Sequence, residues 1–362
     1  MNKQSCRVLP SSWWCRQKSL NSYCPSRTGE SQDMRAIQYN RFGGYDTLES
    51  ATVPEPVPAQ DQAVVRMTLA GINPLDNTVR SGKLPAAAVK DFPIRPGGFG
   101  VGVIDNPGGS DLPAGTRVVI SGGRYGVGVD GTWADAVAVD PEHLLAVPDA
   151  VDDVAAAALT TGAGYLTAYL ALTELAGFTL GSAVLAPGVG GAVGQGGVEV
   201  ATVLGASHAI TTATSTAKAE QGRARGYQVI DLSQESLKEG VARLTGGTGV
   251  DIVLDGVGGP LTGEALGALA RGGRLISIGY AAGPHAMINV TDLIWKSASI
   301  HGFQFARFTA EQVNTVNRTL LELVENHRID PVVDRVFPLD QAAEAARHLS
   351  ENGPFGRVLL KM

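Results

Sequence analysis

The sequence predicts an α/β protein with two domains: a barrel-like domain of short, mostly antiparallel strands, then a doubly wound parallel sheet. A chain of 362 residues is long enough for two hydrophobic cores. From Met34 to about Ala150, short alternating or β-branched runs are separated by Gly- and Pro-rich joints. After Asp149, apolar strands alternate with segments long enough for helices, which is typical of a parallel sheet covered on both faces.

The composition indicates a soluble globular protein and excludes several classes. Hydrophobic residues make up 44% and charged residues 18% of the chain, and no run reaches 18 uninterrupted apolar residues, so we expect no membrane association. A net charge of −6 argues against a nucleic-acid partner. The three cysteines, Cys6, Cys15 and Cys24, precede the patterned sequence, so a thiolate zinc site or a disulfide framework in the main body is excluded.

The first 33 residues differ from the rest of the chain. They carry five Lys or Arg against two Asp or Glu and show no hydrophobic period. Without an apolar core they do not form a secretory signal. We interpret residues 1–33 as a disordered leader. A weak transit peptide and upstream sequence translated in error stay open as alternatives.

The remaining elements follow in order along the chain. The first domain, 34–154, contains the strand patterns MRAIQY, AVVRMTLAGI, RVVI and WADAVAV. A helical segment at 152–176 leads into the second domain, 155–305, whose strands are SAVLAP, SHAITTA, YQVIDL, VDIVLDGV and GGRLISIGY. The tail, 306–362, has a long helix and a closing strand, GRVLLKM, that we expect to return to the first domain.

The glycine-rich turn LAPGVGGAVGQ, 185–195, follows the first strand of the second domain. In a doubly wound fold this turn normally receives a pyrophosphate, because free amides and the positive end of the helix dipole favour an anion there. The predicted contacts are Gly188, Gly190, Gly191, Ala192, Val193 and Gly194. A flexible loop is the alternative interpretation.

The segment after the second strand bears on the choice of cofactor. NAD sites commonly place an acid there for the ribose 2′-hydroxyl. Here the strand runs into TSTAKAEQGRARG, with no acid before Glu220. Thr212, Ser215 and Lys218 offer hydroxyls and a cation, as a 2′-phosphate requires. NADPH is therefore favoured over NADH, although Lys218 as a solvated surface charge is an open alternative.

Several segments together resemble the medium-chain dehydrogenase/reductase superfamily, specifically its zinc-independent, zeta-crystallin-like quinone oxidoreductase branch. They are AGINPLDNTVRSGKLP at 70–85, the glycine turn, TSTAKAE, VDIVLDGVGG and GRVLL. The resemblance covers residues 34–362. It implies a GroES-like catalytic domain, a Rossmann domain that binds NADPH, and a homodimer that pairs through the edge of the Rossmann sheet.

Zinc-dependent members of the superfamily hold a catalytic metal with a Cys and a His in the first domain. In this chain the place of the Cys falls within GINPLDN, which has no thiol. The place of the His falls within RPGGFGVGVI, 95–104, which has neither His nor acid. We therefore expect no metal.

Without a metal, the reaction rests on hydride transfer from NADPH to a polarised double bond. The resemblance places Asn73 beside the nicotinamide and the substrate carbonyl, with Asp76 and Arg80 supporting that loop. From the residues alone, Asn73-Pro74 initiating a turn that Asp76 caps is an alternative interpretation.

Later segments supply further cofactor contacts that the resemblance implies. These are Thr167, Gly279, Tyr280, Phe303 and Arg307. Core packing is the alternative role of Phe303.

The proton donor is left open by the sequence. Relatives carry tyrosines just after the Asn73 loop, where this chain has Thr78 and Leu84, which argues against enoyl-thioester reduction. Tyr125, Tyr165 and Tyr280 are candidates, as is water.

We therefore expect a cytoplasmic, zinc-independent, NADPH-dependent oxidoreductase that transfers hydride to a quinone or another α,β-unsaturated carbonyl, a small-molecule substrate. Two alternatives remain: a non-catalytic NADPH-binding sensor or structural protein, and a tailoring enoyl or enone reductase in natural-product biosynthesis.

Overall fold

The strands of the first domain form where β-branched and small apolar residues alternate between turns. The structure, a computed structural model, describes residues 33–362; the leader prediction falls on residues 1–32, outside this range, apart from Asp33. The elements of this domain are β1 (Asp33–Gln38), β2 (Glu49–Pro54), β3 (Ala63–Ile72), α1 (Pro74–Arg80), β4 (Gly100–Asn106), β5 (Arg117–Ile120), β6 (Ala136–Val139) and β7 (Leu144–Ala146).

The second part of the chain alternates helices with parallel strands. Its elements are α2 (Asp153–Thr160), α3 (Gly164–Leu170), β8 (Ala183–Leu185), α4 (Ala192–Val203), β9 (His208–Ala213), α5 (Thr216–Ala224), β10 (Gln228–Asp231), α6 (Leu237–Thr245), β11 (Val250–Asp255), α7 (Pro260–Gly267), β12 (Leu269–Ser277), α8 (Val290–Lys296) and β13 (Ser299–Gly302). The strands lie in the order β10-β9-β8-β11-β12-β13, and every pair is parallel. The order reverses between β8 and β11, which creates the crevice where ligands bind in such sheets.

The last part of the chain joins the sheet of the first domain. It consists of α9 (Ala310–Glu325), β14 (Val333–Pro338), α10 (Ala342–Glu351) and β15 (Arg357–Lys361). β15 pairs antiparallel with β3, which gives a sheet of order β14-β15-β3-β4-β5-β7, with β6 also paired to β3. The predicted fold class, a GroES-like domain and a Rossmann domain, is confirmed.

The predicted single helix over 152–176 is wrong in one respect, because it is broken between α2 and α3. Gly162 has a φ of 71° and Ala163 a φ of 49°, both left-handed. The break lets Gly164 approach α4 so closely that an added Cβ would lie 2.3 Å from the Ala192 carbonyl oxygen. By length and composition the stretch Asp153–Leu175 could cross a membrane, yet 72% of its apolar window is buried inside the protein, as in the core helix of a folded domain.

Candidate functional site

The glycine turn lies at the carboxyl edge of β8 and leads into α4. Gly188 has a φ of +94°, a conformation that favours glycine, and its carbonyl accepts the Gly191 N–H at 2.9 Å. Gly191 is the N-cap of α4, and no side chain caps this helix end. The first amides of α4 are therefore available to an anion that lies at the turn.

The other glycines of the turn are required by close backbone contacts. A Cβ added at Gly194 would lie 1.9 Å from the Gly188 carbonyl oxygen, and one at Gly190 would lie 2.6 Å from the Pro354 carbonyl oxygen. Val193 packs against Gly256, where an added Cβ would come within 2.8 Å of the valine. The unusual glycine spacing thus follows from packing against α4, the C-terminal segment and the turn after β11. These are contacts of a built turn and argue against a flexible loop.

Thr212 makes a contact with the glycine turn that the sequence did not predict. Its side chain is buried, and its hydroxyl oxygen accepts the Gly188 N–H at 3.1 Å. The hydroxyl therefore holds the glycine turn to β9 from beneath. The hydroxyl keeps its own hydrogen to donate, so the 2′-phosphate contact of Thr212 stays a prediction.

Ser215 and Lys218 lie at the start of α5, close to the glycine turn. Ser215 caps α5, and its hydroxyl accepts the Lys218 backbone N–H at 3.5 Å. The Lys218 ammonium lies beside Gly353, where an added Cβ would be 2.7 Å from Nζ. Gly353 precedes Pro354, which contacts the glycine turn. Within residues 33–362 Lys218 makes no ion pair, so its charge is uncompensated beside the predicted diphosphate site.

Asn73 links the end of β3 to α1. Its Oδ1 accepts the Leu75 N–H at 2.9 Å, and the Asp76 carboxylate accepts the Asn73 N–H at 2.9 Å, which together make a capping box. The structural interpretation of this loop is therefore correct as far as it goes. Since the cap uses only Oδ1, the Nδ2 amide group (the NH₂ of the carboxamide) keeps two hydrogens with which to donate.

The break between α2 and α3 places Gly162 between Asn73 and the start of α4. A Cβ added at Gly162 would lie 3.8 Å from the Asn73 Cβ and 3.5 Å from the Ala192 Cβ. Ala192, the first residue of α4, and Asn73 thus lie on either side of Gly162. This contact joins the predicted diphosphate site to the predicted reaction site.

Asp76 is buried beneath this loop. Burial raises the pKa of its carboxyl from 3.8 to about 7, although hydrogen bonds with the backbone of Asn73 and Gly97 act in the opposite direction. Near neutral pH its protonated fraction is therefore much larger than that of an exposed aspartate. Its contacts place it behind Asn73 as a positioning residue.

Arg80 is the last residue of α1, at the opposite end of this helix from Asn73. It connects α1 to the segment between β1 and β2. Its guanidinium donates to the Gly43 carbonyl and, at 3.2 Å, to Asn77 Oδ1, and it lies 4.4 Å from the centre of the Tyr45 ring. Burial lowers the pKa of Arg80. Arg80 supports the loop, and the structure gives it no contact with the reaction site.

The turns after β11 and β12 complete the carboxyl edge of the sheet. Asp255 accepts the N–H groups of Val257 at 3.0 Å and Gly258 at 2.8 Å, which fixes the turn after β11. A Cβ added at Gly279 would lie 2.5 Å from the Gly256 carbonyl oxygen, so the two turns are in contact. Tyr280 follows with 59% of its surface exposed, open to a ligand at this edge.

The remaining predicted cofactor contacts are more dispersed. Thr167 is buried in α3, the helix that packs on α4. Phe303 follows β13, packs against the hydrophobic core and lies 5.7 Å from the Phe308 ring, so core packing accounts for much of its surface. Arg307 is exposed and its guanidinium lies 5.7 Å from the centre of the Phe308 ring.

Two of the tyrosines considered as proton donors are engaged elsewhere. Tyr125 is buried, and its hydroxyl bonds to His143 Nδ1 at 3.1 Å and accepts the Asp140 N–H at 3.0 Å. Tyr165 donates to Glu199 at 3.1 Å beneath α4. Burial raises the pKa of both hydroxyls. Neither is placed to release a proton to a substrate.

Two buried charged residues support α4 and were missed by the sequence reasoning. Glu199, in the middle of α4, also accepts the Asp330 N–H at 3.1 Å, and burial raises its pKa. Arg357 of β15 donates to the Ala192 carbonyl at 3.3 Å and to Gln195 at 3.5 Å. A single acid within the apolar run of α4 and the Arg of GRVLL were the available signals.

The donor set of the described residues does not fit a zinc ion. Among residues 33–362, no group of three or more His, Cys, Asp or Glu side chains could hold a metal. At the place of a catalytic zinc, the only acid is Asp76, whose carboxylate is occupied by the capping box.

A GroES-like domain joined to a Rossmann domain, with a glycine turn that faces a polar loop, defines the class of nicotinamide-dependent oxidoreductases. The family described as "Alcohol dehydrogenase GroES-like domain" matches residues 59–149, and that described as "Zinc-binding dehydrogenase" matches residues 204–360. Quinone oxidoreductase-like protein 2 of Bos taurus is 31% identical over 363 residues, which cover 98% of both chains.

Two solved structures share the whole fold. The crystal structure of an NAD-dependent alcohol dehydrogenase has a TM-score of 0.81 and 29% identity, covering 91% of this chain and 100% of its own. Escherichia coli quinone oxidoreductase complexed with NADPH has a TM-score of 0.80 and 25% identity with the same coverage. The chain belongs to the medium-chain dehydrogenase/reductase superfamily, in its quinone oxidoreductase-like branch.

Proposed function

We propose that this protein is a zinc-independent, NADPH-dependent oxidoreductase that transfers hydride to a quinone or another α,β-unsaturated carbonyl. The observation that carries the proposal is that Asn73 and Ala192, the first residue of α4, lie on either side of Gly162 and close to it. This contact sets a side-chain donor beside the predicted cofactor site. It supports reduction of a carbonyl compound in the cleft, and the lack of a zinc donor set among residues 33–362 is compatible with it.

In the proposed mechanism Asn73 binds the oxygen of the substrate. Reduced nicotinamide, when bound, supplies a hydride that adds to the electrophilic carbon of the substrate. Negative charge then grows on the conjugated oxygen, where the Nδ2 amine of Asn73 donates a hydrogen bond. The capping box fixes the orientation of that amine, and Asp76 holds the backbone behind it. Water supplies the proton that completes the hydroquinone or the saturated ketone.

The choice of NADPH rests on Lys218. Its ammonium lies beside the C-terminal segment that covers the glycine turn, and it makes no ion pair within the described part of the chain. A ribose 2′-phosphate at the end of β9 would meet this charge, whereas the hydroxyl of NADH would not.

The function is tested with purified protein, NADPH and a panel of quinones and enones, using Asn73→Ala and Asn73→Ser as a matched pair. Serine caps a helix as well as asparagine, whereas alanine costs about 1 kcal/mol of stability. Both variants should lose turnover by about 10²–10³-fold, because both lack the amine. Both should keep their affinity for NADPH.

Each other outcome has a defined meaning. Wild-type turnover in Asn73→Ala as well as Asn73→Ser would show that Asn73 acts only as a cap, because alanine has no side-chain donor. No oxidation of NADPH by any acceptor, despite tight binding, would instead favour a non-catalytic cofactor-binding protein.

The cofactor preference is tested separately with Lys218→Ala. We expect this variant to weaken NADPH by about 1–3 kcal/mol, as for loss of a charge-assisted hydrogen bond, and to leave NADH almost unchanged. Lys238→Ala, which removes an exposed lysine of α6, is the control. An equal loss for both cofactors in Lys218→Ala would contradict the 2′-phosphate contact.

We also propose a homodimer, formed through β13, and a cytoplasmic location. β13 is the edge strand of the six-stranded sheet, and large apolar side chains lie exposed beside it. Ile300 is 39% exposed, Ile294 66% and Trp295 74%. An unpaired apolar edge suits pairing with a second copy. Light scattering should give twice the chain mass, and Ile300→Lys should halve it; cell fractionation tests the location.

A further inference from the structure

Two loops beside the Asn73 loop carry positive charge in a chain that is negative overall. They are residues 81–97 and 121–131, which together hold four cations and only two acids, Asp91 and Asp130. The whole chain has a net charge of −6. We call Lys83, Lys90, Arg95 and Arg124 the cationic rim. A local reversal of charge at a cleft concentrates ligands of opposite charge.

The ion pairs within the rim leave positive charge over. Lys90 and Arg95 both pair with the single carboxylate of Asp130, and their side chains are 24% and 19% exposed. The Arg124 guanidinium donates to the carbonyl of Ala88, which carries no charge. One carboxylate thus serves two cations, both of which are partly shielded from water, where charges act more strongly. Arg124 adds a third cation, whose side-chain hydrogen bond goes to an uncharged carbonyl.

Backbone contacts place the rim next to the reaction site. Gly131 donates to the Arg95 carbonyl at 2.9 Å, and Lys90 donates to the Val127 carbonyl at 2.8 Å, so the two loops form one unit. Two residues after Arg95 comes Gly97, whose backbone bonds to the Asp76 carboxyl. The backbone of the loop that carries Arg95 is therefore bonded directly to the Asn73 loop.

Two exposed aromatic rings lie beside the end of α1 and the loop 81–97. Phe42 and Phe92 are 38% and 42% exposed, and their ring centres are 4.9 Å apart. Phe42 lies against Gly82, just beyond the end of α1, where an added Cβ would be 3.1 Å from the ring. Asn73 is at the other end of α1, roughly 10 Å away along seven residues of helix. A flat apolar body could span this distance.

We propose that the cationic rim binds a carboxylate on the substrate, so that the protein prefers quinones or enones whose conjugated ring carries an acidic side chain. This inference rests on the proposed function for the identity of the reacting group. The conjugated ring lies at Asn73, the apolar body lies on Phe42 and Phe92, and the carboxylate meets Lys90 and Arg124.

The test uses a naphthoquinone with a carboxyhexyl side chain, long enough to extend past α1, and its methyl ester, which share one redox centre. For the wild-type protein we expect kcat/KM for the acid to exceed that for the ester about tenfold at low salt, and the ratio to fall towards one at about 0.5 M salt. Lys90→Gln and Arg124→Gln should each lower the ratio about threefold. Lys238→Gln, which removes an equal charge from α6, should leave it unchanged.

Asp130→Asn provides a change in the opposite direction. It removes the acid shared by Lys90 and Arg95, so the acid-to-ester ratio should rise. A ratio near one in the wild-type protein, or one that does not respond to salt or to these variants, would overturn the inference. A misfolded variant cannot produce the expected rise.

Equilibrium binding separates this inference from the proposed function. Quenching of tryptophan fluorescence measures the affinity of NADP⁺-saturated protein for the acid and for the ester. Selective binding of the acid without turnover would refute the proposed function and support the binding of a carboxylate by the cationic rim. Turnover of both compounds with equal affinity would refute the rim alone.

Discussion

Replacement of Asp76 by asparagine should change how the stability of the protein depends on pH. Burial raises the pKa of Asp76 from 3.8 to about 7. Between these values the folded protein binds the proton more tightly than the unfolded chain, so the free energy of unfolding falls as the pH rises from about 4 to 7. For these two pKa values, the contribution of the carboxyl falls by about 2–3 kcal/mol between about pH 5 and pH 8.

The carboxamide introduced by Asp76→Asn would not titrate, yet its oxygen could still accept the Asn73 N–H. The free energy of unfolding, from urea titrations followed by tryptophan fluorescence, should therefore decline less steeply with pH in Asp76→Asn than in the wild-type protein. Asp111→Asn, which alters an exposed carboxylate, is the control and should follow the wild-type curve. Parallel curves for the wild-type protein and Asp76→Asn from about pH 5 to pH 8 would refute the assigned pKa and its cause.

Further variants address the glycine turn. Gly194→Ala should lose both stability and NADPH binding, because its Cβ would lie 1.9 Å from the Gly188 carbonyl oxygen. In Gly191→Ala the Cβ would lie 3.3 Å from the same oxygen, so this variant should keep its melting temperature. Its affinity for NADPH should still fall, because the methyl group crowds the diphosphate. An unchanged affinity would show that the diphosphate does not lie beside Gly191. Thr212→Val removes the acceptor of the Gly188 N–H and should weaken NADPH and NADH equally, by about 1–3 kcal/mol, in isothermal titration. A loss of affinity for NADPH but not for NADH would instead support Thr212 as a 2′-phosphate contact.

Local patterns predicted the fold well where local physics decides it. β3 occupies 63–72, as its β-branched alternation predicts, and the long helix predicted in the tail is α9, Ala310–Glu325. The glycine turn was also predictable, since a strand, a glycine cluster and a helix follow one another. The capping box of Asn73 and Asp76 was visible as an alternative for the same reason, because a cap is formed by residues three apart.

Features set by contacts between distant segments could not be predicted. The run at 152–176 is rich in Ala and Leu, so its composition favours one helix, and the break at Gly162 exists because Gly164 must approach Ala192. Likewise, nothing in the sequence shows that the hydroxyl of Thr212 accepts the Gly188 N–H. The rim cations also needed the fold, because Lys90 and Asp130 are 40 residues apart.

The structural and the catalytic interpretations of Asn73 are compatible because a carboxamide has two different ends. Its oxygen is held by the Leu75 N–H, and holding one end of a planar group also orients the other. The Asp76 carboxylate fixes the backbone of the same residue, and Gly162 leaves no side chain between it and α4. The cap thus supplies the preorganisation that a donor to a developing oxyanion requires. An aspartate would cap the helix equally well but would present a second oxygen where the amine must donate, so the cap alone does not explain the choice of asparagine.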